Sequence, residues 1–209
     1  MQVSPITSRP LYGRLKPQVR ARQHIALTEG AGLAAFEEAF GALPDILAHT
    51  TLIHIANPSD AALASRLERL GVDSLHMRPT RETALVKLRA VLSGAGMGAR
   101  LYVAGDEDFI GPAQALALEA GMMGEAIQAE HRGSLARRVQ CVHCKGFNDD
   151  VMVSPFTCRH CGTHLLVRDH FSRRLGAFMG VVIDAEAPGD VPPVETLQPV
   201  PVLCAEGRP

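Results

Sequence analysis

Cys141-Val-His-Cys144 and Cys158-Arg-His-Cys161-Gly162 are two C-x-x-C pairs with thirteen residues between them. They decide how the C-terminal part of this chain folds. Each pair makes a tight turn whose two thiolates converge, and two such turns close a tetrahedral all-thiolate site. The expected element is a zinc ribbon with Cys141, Cys144, Cys158 and Cys161 as ligands of one structural Zn. A rubredoxin-like iron site uses the same four ligands, and spacing alone does not separate the two metals. Two disulfides would require an oxidising compartment. A redox C-x-x-C usually stands singly at a helix start. His143 and His160 lie inside the knuckles, where four thiolates already fill the tetrahedron.

Upstream, short apolar runs alternate with helical patterns at roughly twenty-five-residue intervals, the signature of βαβ units and a parallel sheet. Thr51 to Ala56, Asp73 to Met77, Arg100 to Gly105 and Glu125 to Glu130 read as strands, with a possible opening strand at Gln23 to Leu27. Leu33 to Leu43 carries Phe36, Ala39, Phe40 and Leu43 at helical spacing, with Pro44 ending it. Ser59 or Asp60 caps a helix bearing Leu63, Leu67 and Leu70. Thr80 to Leu92 and Phe109 to Ala120 complete the set. The expected domains are an α/β unit over 1–135, a ribbon over 136–186 and a Pro-rich, loosely ordered acidic tail over 187–209.

The totals exclude several function classes. Net charge is −1 and there is no Trp, so the chain is no polycation and offers few stacking platforms for nucleic acid. No apolar run reaches eighteen residues, and the N-terminus lacks an apolar signal core. A cytoplasmic setting is expected. Charge is uneven: residues 132–174 hold eight Lys/Arg against three Asp/Glu, whereas 175–209 hold one Arg against five acids. A basic ribbon leaves a zinc-ribbon nucleic-acid-binding protein as the alternative function.

Catalytic signals are weak. The segment Leu101-Tyr-Val-Ala-Gly105-Asp-Glu-Asp-Phe109 resembles the last nucleotide-binding segment of ferredoxin reductases, which makes the expected fold a Rossmann-like, ferredoxin-reductase-like sheet. Yet no G-x-G-x-x-G is present, and after Leu52 to Ala56 the turn contains Pro58, which removes an N–H that a pyrophosphate would use. The domain is therefore expected to be degenerate, with Gly105 and Asp106 as a crevice candidate. His164, Asp169 and His170 cluster near Arg168, Arg173 and Arg174, which would repel a second cation. Ser134 and Ser172 have no evident base. No P-loop, G-x-S-x-G or H-E-x-x-H exists.

After the ribbon comes His164-Leu-Leu-Val-Arg-Asp-His-Phe171-Ser-Arg173-Arg174-Leu-Gly-Ala-Phe-Met-Gly180. It reads as a ribbon strand, a basic aromatic turn and a second apolar stretch. Phe171, Arg173 and Arg174 form a candidate partner-binding surface, because aromatic anchors beside arginines are favoured at interface hot spots. With the cysteines, this run resembles the C-terminal zinc ribbon of the small-subunit family of bacterial dimethylamine monooxygenases. That resemblance implies a multicomponent, haem-dependent enzyme that uses NADPH and turns dimethylamine and oxygen into methylamine and formaldehyde. Haem and NADPH would sit on partner subunits, the haem on a catalytic partner and the NADPH on a flavin–ferredoxin reductase. This chain would be accessory, supporting assembly or electron transfer, with no catalytic residue of its own.

Overall fold

The computed structural model describes residues 9–197. Cys204 and the end of the expected tail lie outside the described residues. Five strands form one parallel sheet: β1 Gln23–Glu29, β2 Thr50–Ile55, β3 Ser74–Arg78, β4 Ala99–Gly105 and β5 Ile127–His131, in the order β3-β2-β1-β4-β5. The possible opening strand is thus the central one, and the chain reverses direction across the sheet between β1 and β4. The helices are α1 Gly32–Phe40, α2 Pro44–Leu47, α3 Ala61–Glu68, α4 Arg81–Ser93 and α5 Glu107–Glu119.

Strand side chains alternate between two faces, as the pleat requires. Ile25, Leu27, Ile53, Leu101 and Val103 pack beneath α4 and α5, against Leu88, Phe109, Ile110 and Ala113. Ala26, Leu52, Tyr102 and Ala104 point the other way, onto Phe36, Phe40, Leu47 and Leu67. With both faces covered, the central strands need no polar alternation, so they read as continuous apolar runs. Local chemistry sets the helix ends. The Asp60 carboxylate accepts from the Leu63 amide at 3.0 Å, and Thr80 forms a reciprocal cap with Thr83. Pro44 opens α2 at its first turn, where a missing N–H costs nothing, rather than ending α1.

Residues 12–16 run along the outer edge of β5. The Gly13 amide reaches the Ala129 carbonyl at 3.2 Å. The Lys16 amide donates to Gln128 Oε1 at 2.8 Å, and the Leu15 amide donates to the buried Glu130 carboxylate at 2.7 Å. The arm covers an edge that would otherwise be open.

The second sheet has the order β7-β6-β11-β10-β9, built from β6 Arg137–Cys141, β7 Phe147–Val151, β9 Phe156–Thr157, β10 His164–Ser172 and β11 Ala177–Val182. A short strand β8, Val153–Ser154, pairs instead with β12, Glu195–Thr196. The described start of the expected loose tail therefore returns to the ribbon, where Leu197 packs on its core and its amide bonds the Met152 carbonyl. The two sheets meet along α5. A Cβ on Gly111 would lie 2.5 Å from the Gly176 carbonyl oxygen, so helix and β10–β11 turn touch backbone to backbone. Among the described residues no helix is long and apolar enough to cross a membrane.

Candidate metal centre and the crevice beside it

β6 delivers Cys141 into the first knuckle, where the Lys145 amide bonds the Cys141 carbonyl at 2.9 Å. β9 delivers Cys158 into the second, where the Gly162 amide bonds the Cys158 carbonyl at 3.0 Å. Gly162 takes the left-handed φ of 73° that lets the turn close onto β10. The four sulfurs then lie within 4.8 Å of one another. Cys141 Sγ is 3.9 Å from Cys161 Sγ, and Cys144 Sγ is 3.8 Å from Cys158 Sγ. A disulfide would need about 2.05 Å. A tetrahedron of thiolates at about 2.3 Å from a metal has edges of about 3.8 Å. The four cysteines could therefore hold one metal ion, and all four tetrahedral positions would come from protein.

The surroundings favour the thiolate at Cys158 and Cys161; at Cys144 a Gly146 backbone hydrogen bond opposes burial and the neighbouring thiols, which push that thiol up to about 11. The Thr163 hydroxyl lies 3.4 Å from Cys161 Sγ; with the Thr163 amide and His143 it brings the Cys161 thiol down to about 5. Buried Asn148 points Nδ2 at Cys158 Sγ, 3.6 Å away, while its Oδ1 accepts from the Arg159 amide at 2.8 Å. His160 turns away from the sulfurs to the Phe147 carbonyl at 2.7 Å. Its ring lies so close to Gly146 that a Cβ there would meet it at 2.5 Å.

The post-ribbon run divides. Arg173 and Arg174 are exposed in the β10–β11 turn, but Phe171 is only 6% exposed. It packs on Phe178 with ring centroids 5.1 Å apart, within the core of the second sheet. An aromatic anchor for a partner must be reachable, so Phe171 is corrected to a core residue. His164 and His170 stand six residues apart along β10, too far along an extended strand to share an ion. Asp169 is paired with Arg137 and Arg9.

The crevice at the carboxyl ends of β1 and β4 is where a doubly wound sheet takes a dinucleotide. The turn that matters there is not the one at Pro58, which follows β2. It is Gly30-Ala-Gly32-Leu-Ala-Ala35, a G-x-G-x-x-A run between β1 and α1. The signal follows directly on the possible opening strand at Gln23 to Leu27, and it stands plainly in the sequence. Gly30 has φ +50°, and a Cβ on Gly32 would lie 2.0 Å from the Ala104 carbonyl oxygen, so the second glycine serves close packing of α1 on β4.

Carboxylates and the chain itself fill the rest of the crevice. Arg81 binds Glu29 at 2.8 Å, Asp108 at 2.9 Å and Asp106 at 3.4 Å, three acids around one guanidinium. Burial raises the Asp108 pKa and Arg81 opposes it. The Ser134 amide donates to Asp106 Oδ1 at 2.8 Å, which lays the segment joining the two sheets across the mouth. A pyrophosphate entering here would meet excess negative charge and a strap. We expect calorimetry with NADPH to give no dissociation constant below about a micromolar; tighter binding would overturn that reading of the crevice.

Comparison with known proteins follows this division. Residues 4–127 match the model for the dimethylamine monooxygenase subunit DmmA-like N-terminal domain, and residues 138–181 match that for the C-terminal domain. The chain is 34% identical over 168 residues to the heme-dependent oxidative N-demethylase delta subunit of Ectopseudomonas mendocina (strain ymp), covering 80% of this chain and 83% of that one. Among solved structures, it is similar to the ferredoxin reductase in carbazole 1,9a-dioxygenase, with 14% identity and a TM-score of 0.44 over 56% of this chain and 35% of the reductase. The FAD/NAD-binding domain of a nitric oxide dioxygenase from Vibrio cholerae gives 12% identity and 0.42 over 58% of this chain and 55% of that domain. The matched models take in β1 to β4 of the parallel sheet and nearly all of the second sheet, and the chain belongs to the DmmA-like family of dimethylamine monooxygenase subunits.

Proposed function

We propose that this chain is a non-catalytic subunit of a multicomponent haem-dependent monooxygenase that N-demethylates dimethylamine to methylamine and formaldehyde. The observation that carries the reading is the similarity along most of both chains to the delta subunit of such a demethylase. The sealed crevice supports an accessory role, since pyridine nucleotide would then be handled by a flavin–ferredoxin reductase subunit, with the chemistry on a haem-bearing one. Within this chain Cys141, Cys144, Cys158 and Cys161 would hold one zinc. With no ligand position left for water, the metal would be structural. It would fix the hairpin that carries Arg173 and Arg174, which stay candidates for partner contact with Phe171 supporting them from beneath.

The nucleic-acid alternative loses part of its support in the fold. Arg132, Arg137 and Arg138 of the basic region pair with Glu38, Glu107 and Asp149. The test is purification of the tagged chain from its own cell. Haem- and flavin-bearing subunits should co-elute, with about one zinc per chain. A chain that elutes without a haem protein, or carries iron in place of zinc, would overturn the corresponding half of the proposal.

A further inference from the structure

We infer that the amino end of the parallel sheet is a docking face for an acidic protein surface within the complex proposed above, and the inference rests on that reading. The second sheet and the connecting strap occupy the carboxyl end, at Asp106 and Asp108. The opposite end carries the loops that precede the strands. Because β1, β4 and β5 are neighbours, their leading loops stand side by side across about 10 Å.

Each of these loops ends in an exposed apolar side chain. Val19 is 80% exposed, Met123 69%, and Met97 wholly so. Single exposed apolar residues are ordinary. Three on adjacent loops make a face, and methionine adapts its shape to a partner. Beside them opens a cleft of about 770 Å³ lined by Arg20, Arg22, His49 and Met97, with Asp73 as the one carboxylate among its lining residues.

Asp73 offsets only part of the positive charge there. The chain has no acid before Glu29, and five cations precede it. Arg9 is paired with Asp169, and Arg14 faces Glu38. Arg20 and Arg22 are exposed and have no ion pair among the described residues. A second copy of this chain docking by the same face would set these arginines against themselves. A small anion would pair with the arginines but leave most of the cleft and the apolar tips uncovered. An acidic protein surface satisfies both: a carboxylate enters between Arg20 and Arg22 while apolar contact covers Met97 and Val19.

The test uses the full chain and the haem- and reductase-bearing subunits of the same system. Met97→Asp with Arg20→Glu should weaken capture of one of those subunits by about thirtyfold or more, and raising salt should weaken wild-type capture. Val86→Asp, on the outer side of α4 and 71% exposed, should leave capture unchanged. The thermal midpoint and metal content of the double variant should match wild type. Equal capture by the double variant and wild type overturns the docking face alone. Failure of wild type to capture either partner overturns the proposed function, and the docking face with it. A wild-type dimer that the double variant converts to a monomer identifies the face as a self-contact and also overturns the inference.

Discussion

Cys158→Ser is expected to strip the metal from the chain and unfold residues 141–183, while the five-stranded parallel sheet keeps its structure. Cys158 is 2% exposed and stands in a small cluster with Cys141 and Leu165. Even with the Phe171–Phe178 core beside it, so small an apolar cluster cannot offset the ordering entropy of forty residues. A structural thiolate site supplies about 10–16 kcal/mol of apparent binding free energy, and that is folding free energy for the unit around it. The parallel sheet has its own two-faced core and shares none of those ligands. Elemental analysis with amide exchange checks this. Retained metal, retained protection in β6 and β10, or lost protection in β1 and β4 would each contradict it.

Arg137→Ala should cost about 3–5 kcal/mol, the range for removing one partner of a buried ion pair. Arg137 and Glu107 are each only 4% exposed at the side chain, with Nε 3.3 Å from Oε2. The guanidinium also lies 4.5 Å from the Phe178 ring centroid and 3.3 Å from Asp169. Burial already pushes the Glu107 pKa up, and the Arg137 charge holds it back. Without Arg137 that pKa rises further above its unfolded value. The penalty should therefore be smallest at acid pH, where the carboxyl is protonated, and grow as pH rises through the folded value. Adding Glu107→Gln should recover part of the loss at pH 8 and little at pH 5. Denaturant midpoints that are equal for the single and double variants at pH 8 would show that buried charge is not the cause.

Much of this was legible in the sequence, for physical reasons. Four cysteines at knuckle spacing leave few geometries, and the sulfurs do converge. Apolar runs bounded by Asp60, Thr80, Gly71 and Gly121 announced the alternation of strands and helices. Strand order was not legible: Gln23 to Leu27 read as a possible opening strand, and nothing local marks it as the centre of the sheet. Phe171 was not legible as core. It stands beside Arg173 and Arg174 in sequence, and only the pairing of β10 with β11 turns it onto Phe178. The seam between the sheets joins Glu107 to Arg137 and Gly111 to Gly176, pairs that no local pattern records.

The arm along β5 also sets the order in which this protein can form. Leu15 and Glu130 are 115 positions apart, so the arm waits for the last strand of its sheet. During synthesis β1, β2 and β4 can collapse early, but β4 keeps an open edge and the arm has no strand to lie on until residue 130 is made. Closing so long a loop is slow, and an uncovered edge in the meantime invites other chains. The nascent protein is therefore most vulnerable to misassembly before β5 is made, while the edge of β4 has no partner.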